Sequence, residues 1–170
     1  IPTTLALAMT GTGDSIKTNQ ASLSIPRLTI NSSLIYNTTP NLTVSTALGA
    51  NNATNTLVQE DNSILTLSSQ TSSLTINASA TNAEVIYNRG TAQTINRGTY
   101  YKLTLTSTTA AAKVTSFPAG VTSTTVTNEI NLETGSAISH SLNKTLTTTT
   151  LTGTGATFTM GANTTLNLGD

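Results

Sequence analysis

The chain has 170 residues with seven basic and seven acidic side chains, and its net charge is zero. Threonine, serine and asparagine supply 40, 18 and 17 residues, while charged residues make up 8%, against about 25% in an ordinary soluble domain. Seven scattered basic residues do not form the positive stripe of a nucleic-acid-binding protein. The scarcity of His, Cys, Asp, Glu and Lys argues against catalytic and metal sites. We therefore expect no enzyme, cofactor, metal or nucleic-acid partner.

The N-terminal segment alternates apolar residues as Leu5-Ala6-Leu7-Ala8-Met9. No basic residue precedes it, so it is not an intact signal peptide. No run in the chain approaches the ~18 apolar residues of a membrane span, and we expect no membrane insertion. A strand that is apolar on both faces suits insertion into a neighbouring subunit. Residues 3–9 therefore favour one alternative, the donor strand of a β-sandwich pilus or fibre subunit of bacterial or archaeal origin.

Further along the chain, aliphatic residues alternate with Thr or Ser in short triplets. Neighbouring side chains of a strand point to opposite faces, so each triplet would bury two apolar groups and expose the polar group between them. Asn, Gly and Ser between the triplets predict turns, and no apolar stripe with a 3.6-residue period predicts a helix. The whole of 1–170 is predicted to be one all-β segment. In chain order the triplets are Leu23-Ser24-Ile25, Leu28-Thr29-Ile30, Leu42-Thr43-Val44, Leu65-Thr66-Leu67, Leu74-Thr75-Ile76, Leu103-Thr104-Leu105, Phe158-Thr159-Met160 and Leu166-Asn167-Leu168.

Weak internal repeats favour a parallel β-solenoid, or β-helix, over a β-sandwich or jelly roll. An offset of about 51 residues places 34–37 over 85–88, and one of about 84 places 66–78 over 150–162. Degenerate blocks are therefore expected near 22–44, 66–105 and 150–170, within a longer repeat array. Stacked turns also suit the composition, because Thr and Asn ladders are stable at the 4.7–4.9 Å strand spacing where like charges repel. Since the ends of a solenoid need covering, we expect neighbouring repeats or identical subunits as partners.

Two segments carry a family resemblance. Residues 85–105 read VIYNRGTAQTINRGTYYKLTL, and residues 161–169 read GANTTLNLG. Both resemble the repeat unit of very large, adhesin-like cell-surface proteins of flavobacteria and other Bacteroidota, with Arg89 in place of the usual Gly and Lys102 in place of the usual Asn. The resemblance implies export, often by the type IX route, and display of β-helical stalks outside the cell. It implies no enzyme. Surface glycans are a further candidate partner.

Glycan attachment is permitted at several positions. Ser15, within Asp14-Ser15-Ile16, resembles the O-glycosylation signal of these bacteria. The Asn-x-Ser/Thr pattern is frequent in a chain so rich in these residues, and it gives candidate sites rather than assigned ones. The candidates are Asn31, Asn37, Asn41, Asn52, Asn77, Asn143 and Asn163.

The four tyrosines are interpreted as residues that pack within the fold, and stacking against a sugar ring is the functional alternative. Tyr100 and Tyr101 are adjacent, so on a strand they point to opposite faces and one of them packs inward. Tyr36 and Tyr87 fall at equivalent positions of the overlaid blocks, which favours packing for both.

The acidic residues suggest structural roles. Glu129 and Glu133 are expected on an outward strand face or on either side of a turn, because no cleft for a glycosidase carboxylate pair is indicated. Glu60-Asp61-Asn62 is predicted to be a turn, with a weak calcium site as the alternative.

The remaining polar candidates are expected at the surface. His140 has no acid or nucleophile pattern around it and is expected to point outward. Arg89 and Arg97 each precede Gly and are predicted at equivalent solvated turns, with acidic-sugar binding as the alternative. A flat threonine array of the kind used by ice-binding solenoids is a further alternative, formed by Thr104/Thr106, Thr147/Thr149, Thr152/Thr154 and Thr157/Thr159.

Overall fold

The computed structural model describes residues 6–69, 74–106, 113–116, 123–133, 136–140 and 145–169, with the backbone alone for 113–115 and 136–140. In these ranges every regular element is a β-strand, and every strand pairing is parallel. The strands are β1 (Ala6–Met9), β2 (Asp14–Ile16), β3 (Leu23–Ile30), β4 (Leu34–Asn37), β5 (Asn41–Ala50), β6 (Thr56–Gln59), β7 (Ile64–Leu67), β8 (Thr75–Ala78), β9 (Glu84–Tyr87), β10 (Gln93–Thr94), β11 (Arg97–Leu105), β12 (Lys113–Ser116), β13 (Ser123–Leu132), β14 (Ser136–His140), β15 (Thr145–Gly153), β16 (Thr157–Met160) and β17 (Thr165–Leu168).

The strands lie in three stacks, named A, B and C, and successive strands within a turn of the chain belong to different stacks. Stack A contains β7, β9 and the segments 23–25, 41–44, 102–105, 129–132 and 150–153. Stack B contains β2, β4, β6, β8, β17 and the segments 97–100, 123–126 and 145–148. Stack C has two described parts, one of β1 with 27–30 and 47–50, the other of β10, β12, β14 and β16.

Parallel stacking of this kind is a β-solenoid, which confirms the predicted fold. Strand residues that pair between adjacent turns lie 18 to 27 residues apart in the chain, so the turns differ in length. The register shifts in the long strands, as between Ile25 and Arg27, occur where the chain passes from one stack to the next. Such bulges bend a strand sharply without ending it.

One core runs along the described turns and is built almost entirely from aliphatic side chains. The period-2 pattern sets its composition, as in β7, where Leu65 and Leu67 are fully buried and Thr66 between them faces outward, half-buried. Each buried Leu or Ile contributes about 1.5–3 kcal/mol of transfer free energy. Tyr87 and Tyr100 are the largest fully buried side chains among the described residues.

The β-sandwich alternative is wrong, because the sheets of such sandwiches are antiparallel and these strands are parallel. The proposed donor strand also has a place in its own chain. Its described part, Ala6–Met9, pairs in parallel with residues 27–30, and Leu7 lies beside the buried Leu28. Residues 3–5 lie outside the described residues.

Candidate functional surface

The candidate glycosylation sites differ in accessibility. Asn37 is fully buried and its Nδ2 donates to Gln59 Oε1 at 2.8 Å, so it cannot carry a glycan in the folded chain. Asn77 is half-buried, and its Oδ1 accepts from Ser79 and Thr99. Asn143 lies outside the described residues. The exposed candidates are Asn31, Asn41, Asn52, Asn163 and Ser15.

Two of the four tyrosines form a buried polar knot with Asn96. Tyr87 Oη donates to Asn96 Oδ1 at 3.1 Å and accepts from Asn96 N–H at 2.8 Å. Tyr100 Oη donates to the Asn96 carbonyl at 2.6 Å, and the two phenol oxygens lie 3.4 Å apart. Burial raises the pKa of both hydroxyls well above the usual value. The knot therefore fixes the segment between stacks C and B.

The other two tyrosines lie on the outer side of the strands. Tyr36 and Tyr101 are both half-buried. Tyr36 is on stack B beside Val58, whereas Tyr87 is on stack A beside Leu67. The expectation that Tyr36 and Tyr87 are equivalent is therefore wrong, because the overlay aligned two different stacks.

The predicted acidic turn at 60–62 is a stacking element. Asn62 and Asn82 both adopt the left-handed conformation, with φ of 60° and 59°. Asn82 Nδ2 donates to Asn62 Oδ1 at 3.0 Å, and the Thr81 N–H donates to Asp61 Oδ1 at 2.9 Å. The Asp61 carboxylate thus caps the next turn. Across the described ranges, no three His, Cys, Asp or Glu side chains converge as a metal site.

Stack A carries a column of charged side chains on its outer face. Lys102 Nζ lies 3.7 Å from Glu84 Oε1 on the preceding turn and 3.3 Å from Glu129 Oε2 on the next. Thr104 donates to Glu84, and Thr152 donates to Glu129 Oε1 at 2.7 Å. The Thr152 hydroxyl, helped by Lys102, lowers the pKa of Glu129, and the two carboxylates raise the pKa of Lys102 against the opposing effect of burial. Alternating sign is what allows charges to stack at this spacing.

We expect Lys102→Met to destabilise the chain by about 1 kcal/mol at pH 7, since the pair is partly exposed and solvent screens it. Because the pKa of Glu129 is lowered in the fold, its contribution is present above the unfolded value, about 4.3, and is lost as the pH falls below it. Urea unfolding of wild type and Glu129→Gln at pH 7 and pH 3 measures the contribution of Glu129 to the free energy of unfolding at each pH. Lys17→Met, at an exposed residue, is the control. An equal difference between wild type and Glu129→Gln at both pH values would contradict the ion-pair interpretation.

The two arginines do not occupy equivalent turns, contrary to expectation. Arg89 follows β9 at the end of stack A, and its Nη1 donates to the Ala92 carbonyl at 3.2 Å. Arg97 is the first residue of β11 on stack B and pairs with Thr75. His140 ends β14, where it pairs with Met160, and its side chain lies outside the described residues.

The threonine pairs do not form one flat exposed array. Thr104 is only 3% exposed and its hydroxyl is bonded to Glu84, while Thr152 and Thr154 are exposed. The alternation of residues along a strand does not predict which threonines are buried, because the side chains that cover them come from neighbouring turns.

A groove of about 470 Å³ opens at the edge of stack A, beside Glu129. Close approach of two turns requires Gly153 there, because a Cβ would lie 2.8 Å from the Leu132 carbonyl oxygen. The lining offers hydroxyls, an amide and the exposed carboxylate of Glu133, which can hydrogen-bond a polyhydroxylated ligand. It contains no His, Cys, Lys or Arg. The lining residues are Thr106, Asn131, Leu132, Glu133, Thr152, Gly153 and Thr154.

Polar residues that point inward were not recognised from the sequence. Gln93 Nε2 donates to the carbonyls of Leu67 and Ser69, on the preceding turn, at 3.1 and 2.7 Å. Asn37 and Gln59 occupy inward positions in the same way. The available signal was their phase, since Asn37 and Gln59 lie two residues after the inward Ile35 and Leu57.

No helix in the described ranges has the length and apolarity to cross a membrane. The chain matches no protein-family model, no curated protein and no solved structure.

Proposed function

We propose that this chain is a non-enzymatic structural segment of a secreted, cell-surface protein or extracellular filament, in which it forms a stiff stalk. The observation that carries the proposal is the core cluster that the described residues form, which extends from Ile16 in the first turns to Leu146 near the last. A continuous core of this kind joins the turns into one rod, because each turn buries its apolar face only against its neighbours.

The backbone arrangement suits a mechanical role. Consecutive turns are joined by parallel strand pairing, and pulling along the rod must break a set of these bonds for each turn. The buried Tyr87–Asn96–Tyr100 knot and the buried Asn37–Gln59 bond add polar ties between strands and between turns. These ties resist sliding, since a shift in register would leave buried polar groups unpaired.

The outer surface supports an extracellular role. On stack B, Thr99 lies between Asn77 and Thr125, and its hydroxyl donates to Asn77 Oδ1 at 3.1 Å. Further along the same column, Asn167 Nδ2 donates to Thr147 Oγ1 at 3.5 Å. Uncharged hydroxyl and amide ladders give a surface whose contacts vary little with salt or pH, and they offer hydrogen bonds to glycans.

Single-molecule pulling between the termini tests the stalk. If turns detach one at a time, turns of 18–27 residues release about 60–100 Å each, at 3.3–3.6 Å per residue. A force–extension trace should therefore show a series of such steps. Smooth extension at low force, without steps, would contradict a mechanical role.

Location is tested by immunogold labelling of intact and permeabilised source cells with antibodies raised against the 170-residue chain. The proposal predicts labelled thin rods outside intact cells. Label that is seen only after permeabilisation would contradict export.

A further inference from the structure

In the turn between β5 and β6, the side chain of Asn52 is hydrogen-bonded to Thr54, the third residue of its own Asn-x-Thr motif. Asn52 Oδ1 accepts from Thr54 N–H at 3.1 Å and from Thr54 Oγ1 at 3.0 Å. Thr54 is the third residue of Asn52-Ala53-Thr54, and both Asn52 and Thr54 are exposed. This Asx turn engages the carbonyl oxygen of the amide through the sequon hydroxyl, so the two groups that define the motif are already together.

A buried asparagine holds this turn in place. Asn55 is 6% exposed, and its Nδ2 donates to the Ile30 carbonyl at 2.8 Å and to Asn51 Oδ1 at 2.6 Å. Its N–H donates to the Asn52 carbonyl at 3.2 Å. The exposed turn is therefore fixed to the preceding turn of the rod and presents Asn52 in a defined conformation.

Accessibility of the other described sequons depends on their place in the turn. Asn31 and Asn163 are exposed and, like Asn52, lie where the chain passes from stack C to stack B. Asn37 and Asn77 lie within strands of stack B and are bonded to neighbouring side chains. Asn41 begins β5, and its Nδ2 donates to the Ala21 carbonyl at 2.9 Å.

We propose that Asn52 is an acceptor for an N-linked sugar and that the corner from stack C to stack B is the sugar-bearing edge of the rod. In the reaction, a bond forms between Asn52 Nδ2 and the anomeric carbon of a phosphate-activated sugar. The bond from that carbon to the phosphate oxygen breaks, the phosphate leaves with the electron pair, and Nδ2 gives one proton to a base of the transferase. The ability of Asn52 to accept a sugar is a property of the folded chain, and it does not depend on the proposed extracellular location.

The test uses the purified, folded 170-residue chain with a soluble asparagine glucosyltransferase and UDP-glucose, and mass spectrometry measures each site. Synthetic peptides covering 33–41 and 48–56 give the rates of Asn37 and Asn52 without a fold. Folded Asn52 should react within about tenfold of its peptide, whereas folded Asn37 should react at least about a hundredfold more slowly than its own, because its modification needs local unfolding. Thr54→Val should abolish modification of Asn52, and Thr54→Ser should retain it.

The proposal is overturned if folded Asn52 stays unmodified while its peptide reacts, or if folded Asn37 reacts as fast as Asn52. Circular dichroism of the Thr54 variants confirms that each is folded before its rate is used. These results are independent of pulling and of cell labelling, so failure here leaves the stalk proposal in place, and the reverse also holds.

Discussion

Replacing Gly98 by alanine is expected to unfold the middle of the solenoid. Gly98 lies in β11 with φ of 148°, a conformation that residues with a Cβ rarely adopt, and it pairs with Ile76 on the preceding turn. A Cβ at this position would lie 1.7 Å from the Ile76 carbonyl oxygen and 2.7 Å from its carbon. Since both are backbone atoms, no change of rotamer relieves the clash. The cost should exceed about 4 kcal/mol, which is exceptional for one methyl group.

Two other glycines separate the clash from the backbone conformation. Gly13 also has positive φ, 82°, but nothing lies within 4 Å of its added Cβ, so Gly13→Ala should cost only about 1–2 kcal/mol. Gly169→Ala would place its Cβ 3.5 Å from Thr149 Oγ1, an ordinary contact, and should change stability by less than about 0.5 kcal/mol. Urea unfolding followed by far-UV circular dichroism ranks the three variants. Equal stability of Gly98→Ala and Gly169→Ala would contradict the close approach of Gly98 to the backbone of Ile76 on the preceding turn.

The strand pattern could be predicted from the sequence because it is local. Leu65, Thr66 and Leu67 have the predicted in–out alternation, and the same rule holds for the neighbouring turns of stack A. Thr104 shows the limit of the rule. It faces outward as predicted, yet it is buried because Glu84, 20 residues earlier, reaches over it from the preceding turn.

The register between turns could not be predicted. Strands of stack A and of stack B both carry inward aliphatic residues at alternating positions, as in β7 and β8, and the turns differ in length. A sequence overlay can therefore move from one stack to another without losing its matches. This is why 34–37 aligned with 85–88, although Tyr36 lies beside Val58 on stack B and Tyr87 beside Leu67 on stack A. The repeat blocks at 22–44, 66–105 and 150–170 stay a prediction.

The candidate sites also combine features that are local in the sequence with features that depend on how the turns stack. The Asn-x-Ser/Thr motif and the adjacent tyrosines are visible in the sequence, but their burial is a property of the stack. Phase could have excluded Asn37, since it lies two residues after the inward Ile35. Nothing in the sequence shows that Thr54 bonds to Asn52, because the turn that brings them together is held by Asn55 on a carbonyl of the preceding turn.

Truncating Tyr100 to alanine is the second change with a large expected effect. Tyr100 is fully buried, and removing a buried aromatic ring costs about 3–5 kcal/mol. Tyr100→Phe keeps the ring and removes the hydroxyl that donates to the Asn96 carbonyl, so it should cost about 1–3 kcal/mol. Tyr87→Phe should cost a similar amount, and the double variant less than the sum, because both hydroxyls bond to Asn96. Tyr101→Phe, at the half-buried neighbour, is the control.

The same knot makes the chain sensitive to alkali. Because burial raises the pKa of Tyr87 and Tyr100, the fold favours their neutral form. Their contribution is complete below the unfolded value of about 10 and is lost as the pH rises above it, since the unfolded chain then releases protons that the folded chain retains. Absorbance at 295 nm and circular dichroism, followed together from pH 8 to pH 13, should show these two tyrosines ionising only as the strands unfold. In Tyr87→Phe/Tyr100→Phe, the part of the absorbance change that coincides with unfolding should disappear. Full ionisation of all four tyrosines with unchanged circular dichroism would show that the two hydroxyls are not buried.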